Sequence, residues 1–346
     1  QYTGDRRVLG DNYATISKWL AFLRGKCRDG LLQKYGHEKW GFLGDWVPPG
    51  RGQEKNERVD EASTLMFNNC FYLYSLQLGS RIAGLLDDPE HEAAYHERAT
   101  RLSERIHEIF YNADTATYAN GEQPYLALPL LLEIVPASER SRVEENLEKD
   151  ILVTHGGHLN SGMLGTYYLI KYLIKSGRND LIHEITRQKG YPGWGYMLEQ
   201  GATTIWEQWD GVNSHIHNCM LSIGAWFIQG LAGIRPDPDA PGFKHFFIIP
   251  SGINELRHVN AAYDSVRGRI EVNWKRKQGR LIIELVIPVN STATLHLPTS
   301  GPAEIIEGTM PAREAPGVHW IENLPGLSVF RLDSGCYRFV SVYVTV

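Results

Sequence analysis

Cysteine is scarce. The 346 residues hold four, Cys27, Cys70, Cys219 and Cys336, widely scattered and with no CxxC pair. That excludes a disulfide-built scaffold and gives no signature of structural zinc. Long apolar runs are missing as well; none approaches the ~20 residues that a membrane-spanning helix needs. Positive charge is not in excess. Lys+Arg is 35 against Asp+Glu 40, a net charge of −5, which argues against a nucleic-acid binder relying on bulk positive charge. There is no Walker loop, no GxSxG, no HExxH and no GxGxxG after a strand. An initiator Met and a charged-then-apolar leader are also lacking. Residues 1–5 read as the end of one helix and the entry to the next. The chain is therefore expected to be the later part of something longer, and its compartment stays open.

What is present is enough to fold. Apolar residues make up 42% and aromatics 11%, too much for a disordered chain, and the length suits two domains. Apolar spacing predicts helices over residues 6–25, 60–86, 89–110, 125–134, 137–150, 160–175, 178–188 and 214–232. Short connections between them suit stacked αα-hairpins. A Gly-, Trp- and Pro-rich loop is expected over residues 30–58. The period then changes. Pro236, Pro238 and Pro241 end the helical part and make a stiff link. Beyond it, residues 269–274, 281–287, 292–297 and 337–343 read as strands, with a turn at 277–280. The expected division is a helical domain over 1–234, a linker over 235–243 and an antiparallel β-sandwich over 244–346.

Tryptophan marks where chemistry would sit. Of nine, several lie in Gly-rich loops beside carboxylates: Trp40 and Trp46 near Asp45, and Trp194, Trp206 and Trp209 around Glu207. An indole face covers the apolar C–H face of a pyranose, and carboxylates accept its hydroxyls. The alternative is that these rings pack in the core, where tryptophan is mostly buried. Glu207, between Trp206 and Trp209, is the acid favoured as a general base toward water. If residues 203–209 are extended, Thr203, Ile205, Glu207 and Trp209 share one face. The competing reading is a carboxylate paired with a basic side chain or hydrogen-bonded to backbone. Glu199, Asp45, Asp60 and Glu61 are further candidates, although Asp60 and Glu61 also suit a helix N-terminus. The pairs His155/His158 and His215/His217 are expected to hydrogen-bond a ligand, a carboxylate or the backbone rather than hold a metal. Asn290-Ser291-Thr292 reads as a turn.

The stretch Tyr191-Pro192-Gly193-Trp194-Gly195-Tyr196-Met197-Leu198-Glu199-Gln200-Gly201-Ala202-Thr203-Thr204-Ile205-Trp206-Glu207 resembles the signature of the α-L-rhamnosidases of glycoside hydrolase family 78. So do the segment from Ala232-Gly233-Ile234-Arg235-Pro236 through Gly242-Phe243-Lys244-His245-Phe246, the stretch His158 to Thr166 and the Gly44-Asp45-Trp46 loop. The resemblance covers essentially the whole chain. It implies an incomplete (α/α)6 toroid followed by an antiparallel β-sandwich. It also implies inverting removal of terminal α-L-rhamnose from plant glycosides or polysaccharides, with no metal or other cofactor. Carried over, Glu207 is the general base, Trp46 and Trp206 wall the sugar pocket and His217 contacts it; Asp45 and Trp194 are further substrate-binding positions. The family's acidic motif, Asp-Cys-Pro-x-Arg-x-Glu-Arg-x-Gly-Trp-x-Gly-Asp, supplies the general acid, and nothing here matches it. The expected partners are a rhamnose-containing glycan and either a second copy of the chain or a missing N-terminal portion, with neither nucleic acid nor membrane. Competing readings are another inverting (α/α)6 glycosidase and a non-catalytic carbohydrate-binding remnant.

Overall fold

The computed structural model describes residues 1–37, 41–50, 60–218, 220–299 and 305–342. Trp40, Cys219, Tyr343 and the 51–59 part of the expected loop lie outside the described residues. Packing divides the chain into two units: Arg6–Ser176 with Leu181–Ser222, and Gln1–Asp5 with Gly177–Asp180 and Ile223–Val346.

The first unit is built from helical hairpins. Helix α1 spans Arg7–Arg24, α2 Glu61–Leu85, α3 Pro89–Phe110, α4 Gln123–Leu131, α5 Arg140–Lys149 and α6 Met163–Lys175. Short polar caps set the starts of α2 and α3. Asp60 accepts from the Ser63 N–H at 2.8 Å, and Asp88 accepts from the His91 N–H at 3.2 Å, with Pro89 in the first helical position. Helix α2 packs along α3, and α4 lies against α5 and α6. Every residue of α4 is buried, which explains its lack of a polar face. Helix α5 runs into a π-helical turn, Asp150–Thr154. The predicted helix over 214–232 is only partly found. Helix starts at Ser222, and Trp226–Ala232 is π-helical. Residues 214 and 217 instead pair their backbone with 207 and 205, so they are not free to wind.

The second unit is a sandwich of two sheets. One orders Val318–Leu324, Leu327–Leu332, Thr292–Pro298, His245–Ile248 and Ile234–Pro236. The other orders Met310–Pro311, Ile306–Glu307, Gly335–Val342, Arg280–Ile287, Gly268–Lys277 and His258–Ser265. Inward residues of both sheets, among them Phe246, Leu295, Phe330, Val272, Ile283 and Phe339, form one core. Gln278 and Gly279 both take positive φ (51° and 71°), the conformation of a two-residue hairpin turn. Two features differ from expectation. Thr292–Pro298 pairs in parallel with His245–Ile248, while the other ladders are antiparallel. The start of the proline-rich stretch is also no simple link, because Ile234–Pro236 forms an edge strand whose Arg235 pairs with Phe247. Proline is tolerated at such an edge.

Candidate active site

The loop 158–162 organises the helical unit around α6. Gln123 is fully buried on α4; its amide donates to the His158 carbonyl at 3.0 Å and accepts from the Asn160 N–H at 2.9 Å. The Ser161 carbonyl accepts from the Trp209 indole N–H at 2.9 Å. The Met163 N–H donates to the Trp46 carbonyl, also at 2.9 Å. Trp46, Ser161 and Trp209 are thereby tied together from three distant parts of the chain.

Asp45 is held in the same knot. It is 2% exposed and accepts from the Gly162 N–H at 2.7 Å and the Gly165 N–H at 2.8 Å. Both carboxyl oxygens therefore cap the first turn of α6, where N–H groups have no helical partner. The residue expected to touch sugar is committed to backbone. Burial pushes its carboxyl up to about 6, against the hydrogen bonds from the backbone N–H groups of Gly162, Gly165 and Leu164 that hold it down. The folded chain thus retains a proton here that the unfolded chain releases near the ordinary value of 3.8. This group's contribution to stability is largest below about pH 4 and falls as pH rises to about 6. Asp45→Asn should flatten that part of the stability curve. Urea midpoints from pH 4 to 7 check this, and an unchanged slope in the variant would assign the titration to another group.

The indoles are more buried than stacking platforms need to be. Trp194 and Trp206 are each 7% exposed, and Trp209 is 1%. The Trp194 N–H donates to the Met220 carbonyl at 3.0 Å, and its ring meets Trp209 edge-on with centroids 5.5 Å apart. Trp206 stacks on His215 at 4.8 Å. Trp46 is half-buried. Trp209→Phe keeps an aromatic ring but leaves the buried Ser161 carbonyl only the long bond from the Thr166 hydroxyl at 3.4 Å and opens space beside it, and should cost about 1–3 kcal/mol by denaturant unfolding.

Glu207 sits on a hairpin-like loop, not on the extended segment expected. Its N–H donates to the Ser214 carbonyl at 2.9 Å, and the His217 N–H donates to the Ile205 carbonyl at 3.0 Å. Gly211 and Asn213, with φ of 80° and 67°, turn the chain between them. Simple alternation fails here, since Trp206, Gln208 and Trp209 are all buried. The Glu207 side chain is half-buried and accepts from the Ser214 N–H at 3.3 Å. His217, also half-buried, lies on the facing segment.

The rival carboxylates have other work. Glu199, at the end of the short helix Trp194–Glu199, pairs with Lys189 at 2.8 Å. Asp60 caps α2, and Glu61 lies in its first turn. Asp210 accepts from the Val212 N–H at 3.1 Å. The histidines are engaged too. His155 lies 3.6 Å from Asp150, His158 3.2 Å from the Pro192 carbonyl and His215 2.7 Å from the Gly211 carbonyl. Among the described residues, no group of three His, Cys, Asp or Glu side chains is placed to hold a metal ion. Gln123 and Gln208, both buried, have no local sequence signal of burial; the partners of Gln123 are backbone groups 35 and 37 residues away.

A family model described as the bacterial alpha-L-rhamnosidase 6 hairpin glycosidase domain matches residues 1–231. A second, the bacterial alpha-L-rhamnosidase C-terminal domain, matches residues 233–310. An alpha-L-rhamnosidase of Streptomyces avermitilis is 27% identical over 352 residues, which cover 98% of this chain and 31% of that protein. One of Formosa agariphila is 26% identical over 308 residues, covering 86% and 32%. The solved alpha-L-rhamnosidase from Dictyoglumus thermophilum shares 29% identity with a TM-score of 0.87, over 98% of this chain and 38% of that one. The Streptomyces avermitilis structure complexed with L-rhamnose has the same fold, with a TM-score of 0.85 at 24% identity, over 98% and 31%. The chain thus spans about a third of the length of these relatives.

Proposed function

The chain belongs to the bacterial α-L-rhamnosidase six-hairpin glycosidase family, and from that premise we propose that it carries the general-base half of an inverting α-L-rhamnosidase site. Glu207 takes a proton from a water molecule as that water's oxygen attacks the anomeric carbon. The bond from that carbon to the leaving oxygen breaks, and the leaving oxygen takes a proton from a general acid. Inverting hydrolysis needs two carboxyl groups about 6.5–9.5 Å apart. We place the acid in polypeptide outside these 346 residues, because none of their stretches matches the family's acidic motif.

The observation that carries this reading is where the carboxylates lie. Asp45, Asp60 and Glu199 sit at helix ends as caps or in an ion pair, whereas Glu207 stands half-buried on the loop between the buried Trp206 and Trp209, facing the segment that carries His217. Trp46, Trp206 and His217 are the proposed sugar contacts. Asp45 and Trp194 act by fixing the loops that present them. The substrate is a terminal α-L-rhamnosyl residue of a plant glycoside or polysaccharide. In this reading the catalytic part runs over 1–234 and the C-terminal domain over 244–346.

Two tests address it. The purified 346-residue chain should release no measurable nitrophenol from a nitrophenyl α-L-rhamnoside, and robust turnover would refute an acid supplied from elsewhere. The chain should also self-associate. Helix α1 exposes Val8 (58%), Trp19 (48%) and Phe22 (45%), the last two stacked at 5.5 Å. Apolar surface of this kind promotes association. Sedimentation velocity of the wild type and of Trp19→Lys/Phe22→Lys checks this; a wild-type monomer would count against it.

A further inference from the structure

The strand His258–Ser265 ends the six-stranded sheet, and two clefts meet along it. One, of about 570 Å³, lies between this strand and the π-helical turn that carries Phe227. The other, of about 250 Å³, opens over the outer face of the sheet at Asn273, Lys275 and Glu284. His258 and Asn260 line both clefts, so the two form one groove within a single unit of the fold.

Register gives the groove a regular floor. Asn260 is opposite Asn273, and Asn273 is opposite Glu284; in the next row His258 is opposite Lys275. Strands stand ~4.8 Å apart, so polar groups recur across the sheet at a spacing close to the length of one pyranose residue. Among the described residues, the side chains of His258, Asn260, Asn273 and Lys275 make no hydrogen bond or ion pair within the chain, although their backbones are paired in the sheet. Glu284 is steadied by Arg338 at 3.4 Å and keeps acceptor capacity. At the groove's other end the Phe227 ring is 52% exposed.

We propose that this groove is a second carbohydrate site, which holds a stretch of neutral oligosaccharide. Phe227 covers the apolar face of one ring. Asn260 and Asn273, which both donate and accept, together with the acceptor Glu284, exchange hydrogen bonds with the hydroxyls of its neighbours. Lys275 and Glu284 bring opposite charges to the groove, and with its two amides and an imidazole this lining fits an uncharged polyol better than a polyanion. The choice of glycan rests on the proposed function; the binding itself does not depend on Glu207.

Affinity gel electrophoresis of the 346-residue chain tests this, with soluble galactan, arabinan, xyloglucan and rhamnan as probes. At least one should retard the wild type. Asn260→Ala/Asn273→Ala and, separately, Phe227→Ala should weaken that retardation at least tenfold in apparent Kd. Their circular dichroism and melting should remain those of the wild type, because Phe227 and Asn260 are exposed and Asn273, though half-buried, lies on the outer face of the sheet. Retardation by none of the four polymers, or retardation unchanged in the groove variants, would overturn the proposal. Loss in Trp46→Ala with none in the groove variants would also overturn it, while leaving the hydrolase reading intact.

Discussion

Glu207→Gln is expected to lower kcat about 10²–10⁴-fold in a polypeptide that completes the active site, with little change in KM. The amide keeps the shape and the acceptor that meets the Ser214 N–H at 3.3 Å, so the loop should stay folded. What it loses is the ability to take a proton from water. That loss has a diagnostic pattern. A base acts on the attacking water, so the defect should be equally deep for a dinitrophenyl rhamnoside, whose leaving group needs no proton, and for an alkyl rhamnoside. An acid acts on the leaving group, so its loss would be largely repaired by dinitrophenol. Azide, a nucleophile that needs no deprotonation, should restore turnover of the variant and yield a glycosyl azide. A defect confined to the alkyl substrate would make Glu207 the acid, and near-wild-type rates on both substrates would remove it from the mechanism.

Gly162→Ala should be among the most destabilising single changes in the helical unit. A methyl group at this position would stand 2.0 Å from the Trp46 carbonyl oxygen and 2.8 Å from an Asp45 carboxyl oxygen. Neither is the tip of a flexible side chain. The first is backbone, already accepting from the Met163 N–H, and the second belongs to a carboxyl fixed by two backbone donors. Relief requires the Asp45–Trp46 segment to leave the start of α6. That orphans up to three buried N–H groups at about 1–3 kcal/mol each. The expected loss is about 4 kcal/mol or more, a size reached only by a few mechanisms. Urea unfolding of the wild type and the variant measures it. A variant within about 1 kcal/mol of wild type would show that the knot relaxes without cost.

How much of this was legible in the sequence depends on the range of the interactions. Helices α2 and α3 were readable to within a residue or so because their caps, Asp60 and Asp88, lie next to them in the chain. The hairpin Gly268–Lys277 with Arg280–Ile287 was readable because alternation and a Gly turn are local. The parallel pairing of His245–Ile248 with Thr292–Pro298 was not, because strand order is decided by sandwich closure. At the site, the identity of Glu207 came from its motif, but its setting did not. The backbone pairing of 205–207 with 214–217 replaced both the extended segment and the helix start that periodicity suggested. Asp45 shows the same limit. A carboxylate among aromatics reads as a ligand contact, and nothing local reveals that its partners are N–H groups 117 and 120 residues away.

The most direct test of the proposed mechanism is the configuration of the first sugar released. Proton NMR of the anomeric signal during hydrolysis of an α-L-rhamnoside, by a polypeptide that contains these residues and completes the site, reads it before mutarotation. Water activated by Glu207 in a single displacement predicts β-L-rhamnose first, followed by slow appearance of the α form. Release of α-L-rhamnose first would mean two displacements through a covalent intermediate, and would contradict a general base at Glu207.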